Sequence, residues 1–149
     1  MVKRRLEKRG QAKGVAIYDD YGHHPTEIAA TLKAAKLLVA GKGRLVVVFQ
    51  PHRYTRTSHL LKDFGPCFAE ADHLVITSIY SANEPPIAGV SSAQVVEEVA
   101  RCGQASVQYI PAWSSIVPHL LAVVKPGDLV LLLGAGDVWK LSDELLQRF

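Results

Sequence analysis

The sequence predicts an α/β fold: a mainly parallel sheet of about five to six strands with helices on both faces. Three observations predict it. Apolar runs alternate with helical patterns along the whole chain, as "GVAIYDD", "RLVVVFQ", "HLVITSIY", "ASVQYI" and "DLVLLLG". These runs are continuously hydrophobic, as in strands covered on both faces, and do not alternate in polarity as half-exposed strands do. A chain of 149 residues, 48% of them hydrophobic, supports one core and not two.

The elements follow in order. Residues 1–13 carry Lys3, Arg4, Arg5, Lys8, Arg9 and Lys13 against Glu7 alone, a net +5. The chain total of +3 therefore leaves −2 for residues 14–149. The basicity is local and reads as a charged interdomain linker or leader over 1–13, ahead of a near-neutral domain over 14–149. A basic arm can bind nucleic acid, but no basic surface with interleaved aromatics follows it, so no nucleic-acid partner is expected. "GVAIYDD" is the first strand. Thr26 to Val39 places Ile28, Leu32, Ala35 and Val39 on one helical face, and "GKG" stops that helix. "RLVVVFQ" is the second strand, and Thr57 to Ala71 is a helix with an irregularity around Gly65-Pro66. "HLVITSIY" is the third strand. "SANEPPIAGV" is a loop, because paired prolines continue neither a helix nor a ladder. "SSAQVVEEVARCG" has a serine cap and a glycine stop. A weak strand "ASVQYI", a helix with Pro118, the strand "DLVLLLG" and a last helix "VWKLSDELLQRF" complete the chain.

Composition narrows the class. The apolar runs are too short to cross a bilayer, and no secretory signal is seen, so a soluble cytoplasmic protein is expected. Cys67 and Cys102 lie far apart with no CxxC spacing. They are expected to be buried small residues, with no disulfide framework and no zinc site.

Right-handed crossovers place the C-terminal ends of parallel strands along one edge, where ligands bind in open α/β sheets. Four polar clusters fall there: "DDYGHHP", "QPHRYTR", "YSANEPP" and "GAGD". In the first, Pro25 suits the first helical position, His24 a cap, and Glu27 the helix dipole. Adjacent histidines point apart, so one is expected to face the binding edge and the other to pack inward or bond the loop. The histidines and aspartates match no common zinc spacing, and no metal site is expected. In the second cluster Arg53 and Arg56, beside His52, read either as surface arginines or as a clamp for one carboxylate or phosphate. Cations at a helix start oppose the macrodipole, which favours a bound anion. "GAGD" lacks the GxGxxG spacing and reads as a turn, "AGKGR" lacks GxxxxGK[ST], and no GxSxG occurs. The residues offer substrate-binding chemistry without an engine for ATP hydrolysis.

"DDYGHHPTE", "VVVFQPHRYTRT", "VITSIYSANEPPIAGVSS" and "GDLVLLLGAGDVWKL" together resemble the C-terminal domain of the Mur ligase family. The likeness runs from "VKRRLEKRG" onward and is strongest to the branch that joins L-alanine to UDP-N-acetylmuramate. Related muropeptide ligases share a similar "DD…HHP", so the amino acid rests on the fuller first string. The resemblance implies a Rossmann-like domain of an ATP-dependent acid–amino-acid ligase of peptidoglycan precursor synthesis, in the bacterial cytoplasm. In that family ATP phosphorylates the muramate carboxylate and the incoming amine attacks the acyl phosphate. The C-terminal domain binds the amino acid and closes over ATP. Carried over by motif, Tyr21 and His23 lie near L-alanine, and Arg53 and Arg56 face its carboxylate with His52 nearby. Arg5 resembles a linker arginine that reaches the nucleotide, and Asp20 supports the nucleotide-facing loop. Leu6 stands where the family usually has phenylalanine, which affects the packing of the hinge. ATP and Mg are expected to be held mainly by a central domain, which together with a UDP-substrate domain is the implied partner. No catalytic residue is expected within these 149 residues, and the isolated chain is expected to be inactive. The alternatives are a related muropeptide ligase domain, a non-catalytic nucleotide- or nucleic-acid-binding module, and a hydrolase with a metal at the histidines.

Overall fold

A computed structural model of the chain describes residues 5–39 and 41–149. Its centre is a six-stranded sheet in the order β1 (Glu7–Ala12), β2 (Val15–Asp20), β6 (Leu129–Leu133), β3 (Leu45–Phe49), β4 (His73–Ile76), β5 (Val107–Tyr109). From β2 to β5 the strands run parallel. The runs "LVVVF" and "LVLLL" are buried at every position, because helices cover both faces. One face packs Ile28 and Leu32 with Phe49, Phe64 and Phe68. The other packs Val46 and Val48 with Ile116, Leu120 and Leu145.

Residues 7–12, expected within the linker, instead form an antiparallel edge strand, β1 (Glu7–Ala12). Its charged, mostly exposed side chains hide the strand from a hydrophobic pattern, and such residues also suit a sheet edge. Gly10 lets β1 lie close: a Cβ there would come within 2.9 Å of the Leu146 side chain. Arg9 binds Asp19 at 2.6 Å and lies over the Trp139 ring. Lys3 and Arg4 lie outside the described residues. Leu6 packs against the core, at a backbone φ of 48°.

Helix α1 (Pro25–Leu38) starts at the expected proline. The single helix expected over Thr57 to Ala71 begins earlier and is broken into α2 (Tyr54–His59), α3 (Leu61–Phe64) and a 3-10 turn (Gly65–Phe68). The first break falls at Leu60, whose backbone leaves the helical region at φ −102°, ψ 13°, and the second at Gly65 and Pro66, because proline supplies no N–H and glycine favours no helix. α4 (Ser92–Arg101) has its Ser91 cap, with Gln94 completing a capping box. α5 (Trp113–Val123) carries Pro118 in its interior, and α6 (Leu141–Arg148) closes the chain. Cys67 is buried as expected, but Cys102 is exposed, because it caps the C-terminus of α4 at the surface. Among the described residues no helix is long and apolar enough to cross a membrane.

Candidate functional site

The loop after β2 is built around two carboxylates. Asp20 is buried, and its oxygens accept from Leu6 N–H at 2.7 Å, Gly22 N–H at 2.7 Å and the Thr31 hydroxyl at 3.4 Å. It therefore ties the segment before β1 to the β2 loop and to the middle of α1. Glu27 accepts from the backbone N–H of His24 at 3.2 Å and of His23 at 3.4 Å, and binds Arg5 at 3.1 Å. Burial pushes the Glu27 carboxyl up, but those N–H groups, with His23 and Arg5, hold it below its ordinary value. His24 caps α1: its Nδ1 accepts from Thr26 N–H at 3.2 Å. With His24 committed to the backbone, His23 turns to the sheet edge. Its ring meets Tyr21 edge-on at 5.8 Å and His52 at 5.6 Å.

The turn after β3 is the second wall. His52 stacks on Tyr80 at 5.7 Å with the rings 13° from parallel, and Arg56 Nη1 donates to His52 Nδ1 at 2.9 Å. Arg53 is the N-cap of α2 at φ 71°, a left-handed conformation that L side chains adopt at a cost. Its N–H donates to the Tyr80 carbonyl at 2.8 Å. Among the described residues its exposed guanidinium makes no hydrogen bond or ion pair. Burial, then the charges of Arg56, His23 and Arg53, lowers the His52 value to about 4, so the ring is neutral near pH 7. A shallow hollow beside these groups is lined by His24, Arg53, Thr55, Arg56, His59 and Leu60.

The structure thus brings Tyr21, His23, His52 and Arg56 into one connected chain, with Arg53 on the same turn. Arg5 and Asp20 lie on the side of the β2 loop that holds the segment before β1. Three residues were missed. Tyr80 is the surface on which His52 lies. Glu84 accepts from the N–H groups of Tyr54 and Thr55, so the anion at the start of α2 is one the chain supplies itself. The dipole conflict that pointed to a bound anion is answered internally, and the clamp reading rests on Arg53's unpaired guanidinium instead. Gln50 is buried and binds Asp137 and Val138, holding the "GAGD" turn against β3. A Cβ at Gly136 would lie 2.5 Å from Tyr80 Cγ, so only glycine lets that turn approach. Glu84 and Gln50 both fall in the polar clusters of the sheet edge, but no local signal marks what they bind, since their partners lie about 30 and 87 positions away.

The sequence model described as "Mur ligase, glutamate ligase domain" matches residues 4–136. The chain belongs to the Mur ligase family. Over 147 residues it is 50% identical to a UDP-N-acetylmuramate–L-alanine ligase of Geobacter sp. (strain M21), covering 99% of this chain and 32% of that protein. A protein of the same name from Geotalea uraniireducens is 46% identical, with the same coverage. The chain thus spans about a third of the length of these Mur ligase relatives (32%). Among solved structures, the UDP-N-acetylmuramate–alanine ligase of Thermotoga maritima superposes with a TM-score of 0.74 at 25% identity, over 99% of this chain and 30% of that one. A domain of a UDP-N-acetylmuramate:L-alanyl-γ-D-glutamyl-meso-diaminopimelate ligase from Haemophilus ducreyi gives 0.70 at 26% identity, over 96% of this chain and 98% of that one.

Proposed function

We propose that the chain is the C-terminal, amino-acid-binding domain of an ATP-dependent ligase that joins L-alanine to UDP-N-acetylmuramate in peptidoglycan precursor synthesis. The observation that carries this reading is the meeting of two motifs on one sheet edge. His23 from the β2 loop contacts His52 from the β3 turn, and Arg53 stands beside them with no side-chain partner among the described residues. A guanidinium fork matches a carboxylate, and a fixed carboxylate aims the amine of a small amino acid. Arg53 makes that contact. Arg56, already braced on His52, adds positive charge, and Tyr21 and His23, in edge-on contact with each other, would stand near the methyl group. A small apolar pocket discriminates weakly by size, since one extra methylene costs only ~1–3 kcal/mol. Glycine and serine are expected to compete.

When bound, ATP supplies the activation of the muramate carboxylate. Among the described residues no group of three or more His, Cys, Asp or Glu is placed to hold a metal ion. The sequence has no GxxxxGK[ST] loop. Magnesium and triphosphate would be held mainly by a central domain, and that domain and a UDP-substrate domain are the partners this reading implies. Arg5 and Asp20 link the segment before β1 to α1, where closure over ATP would be transmitted.

The test is steady-state kinetics in a full-length ligase containing this domain. Arg53→Ala removes charged hydrogen bonds of ~1.5–3 kcal/mol, so KM for L-alanine is expected to rise about 10- to 150-fold. An unchanged KM overturns the clamp. Phosphate release by this chain alone with ATP and alanine would overturn the binding-domain reading.

A further inference from the structure

We propose that Glu84 is a positioning residue, which sets the direction of the Arg53 guanidinium by holding the first turn of α2; this rests on the amino-acid clamp proposed above. α2 has six residues, and no side chain of its own or of its N-cap bonds its free N–H groups. Such groups need a partner. Glu84 supplies it from the loop after β4. One oxygen accepts from Tyr54 N–H at 2.7 Å and Thr55 N–H at 3.2 Å, and the other accepts from the Thr55 hydroxyl at 2.6 Å.

The loop is shaped for this. Ala82 and Asn83 both have positive φ, at 50° and 70°, and Glu84 N–H closes the turn on the Ser81 carbonyl at 2.9 Å. That turn brings Glu84 back toward Tyr80, so the two grip neighbouring parts of one segment. Tyr80 holds His52 by stacking and Arg53 by its carbonyl, while Glu84 holds residues 54 and 55. Arg53 lies between the two grips in its strained left-handed conformation, with its carbonyl taken by the Thr57 hydroxyl at 2.7 Å. A residue in such a conformation persists only where its surroundings over-determine it. Arg56 has His52 to orient it, whereas Arg53 has only its backbone. Glu84 also spends both oxygens on α2, which leaves the nearby guanidinium unpaired for a ligand carboxylate. The Thr55 hydroxyl keeps the Glu84 carboxyl below its ordinary value and therefore ionised near pH 7.

The experiment compares Glu84→Ala, Glu84→Gln and Arg53→Ala in a full-length ligase containing this domain, varying L-alanine, ATP and UDP-N-acetylmuramate in turn. Glu84→Ala is expected to raise KM for L-alanine about tenfold, with kcat and the other two KM values within about twofold. Glu84→Gln keeps a carbonyl acceptor for the two N–H groups and is expected to recover most of that loss. A general loss of structure would move all three KM values together, and that result overturns the proposal, as does a KM for L-alanine that Arg53→Ala raises and Glu84→Ala leaves unchanged. A second readout needs no substrate: hydrogen exchange at the Tyr54 and Thr55 amides of this chain. Glu84→Ala is expected to speed both while β3 stays protected, and unchanged exchange overturns the proposal by itself. Faster exchange with KM for L-alanine untouched in both Glu84→Ala and Arg53→Ala overturns instead the clamp reading on which it rests.

Discussion

Gln50 is the buried joint between β3 and the turn after β6, and replacing it should loosen that joint by a measurable amount. It is 3% exposed. Its amide donates to Asp137 Oδ1 at 2.8 Å, and its oxygen accepts from Asp137 N–H and Val138 N–H, both at 3.1 Å. Gln50→Leu keeps most of the volume and removes all three bonds. The Val138 N–H is buried and loses its partner outright, whereas half-buried Asp137 regains water. An orphaned buried donor costs about 1–3 kcal/mol, so a total of about 2–4 kcal/mol is expected with Asp137 counted at the low end. For a domain of this size each kcal/mol moves Tm by about 2–4 °C, giving a fall of roughly 5–15 °C. The assay is thermal melting followed by circular dichroism. Gln50→Glu serves as the control: its carboxylate would face the Asp137 oxygen across the same short gap, so it should melt no higher than Gln50→Leu at pH 7. A Gln50→Leu protein melting within about 2 °C of the parent would refute the joint.

Two further outcomes test the rest of the fold. His73 and His119 meet through their Nε2 atoms at 2.9 Å, while His73 Nδ1 pairs with Ser106. Burial lowers both values from 6.5, with His119 and Arg44 adding to the effect on His73. A depressed folded value means the unfolded chain binds more protons, so stability should fall as pH drops below about 6.5. The parent should lose more Tm between pH 7 and pH 5 than His119→Gln does, and equal losses would refute the pairing. Thiol labelling should find one reactive cysteine in the native chain and two in denaturant. Cys102 is exposed, whereas burial pushes the Cys67 thiol up to about 12. Two native thiols reacting alike would contradict the packing of Phe64 and Phe68 around Cys67.

The fold was legible because its signals are local or collective. Buried parallel strands read as continuous apolar runs whatever lies next to them, and the sheet edge then followed from handedness alone. His24 with Glu27 is a capping pair within one turn, so it too could be read from the chain. β1 escaped because its strand character comes from pairing with β2 and not from its own apolar residues. The arginines of the β3 turn were legible as residue types, but their geometry was not. Tyr80 and Glu84 set it from the far side of β4, and nothing in "QPHRYTRT" encodes where those two residues return. Charge patterning misled at the same place, because the dipole complaint of two arginines at a helix start was settled by a glutamate about 30 positions downstream.

His52 carries the sharpest electrostatic consequence of that arrangement. Arg56 Nη1 can only donate, so His52 Nδ1 must accept, and the neutral ring carries its proton on Nε2. A second proton would have to enter at Nδ1, facing a guanidinium, inside a partly buried stack. Burial first, then Arg56, His23 and Arg53, bring the value to about 4 where 6.5 is ordinary. The folded value is the depressed one, so the stability contributed by keeping His52 neutral is present above pH 6.5 and lost as pH falls toward about 4. An NMR titration of the imidazole Cε1–H should therefore stay flat down to about pH 5 and move near 4. Arg56→Ala should raise the midpoint only part of the way to 6.5, since burial is the larger cause and remains. A parent midpoint near 6.5 would mean that Arg56 does not hold His52 in this tautomer. The group beside the proposed clamp would then change charge near pH 6.5, and the proposed amino-acid binding would vary with pH there.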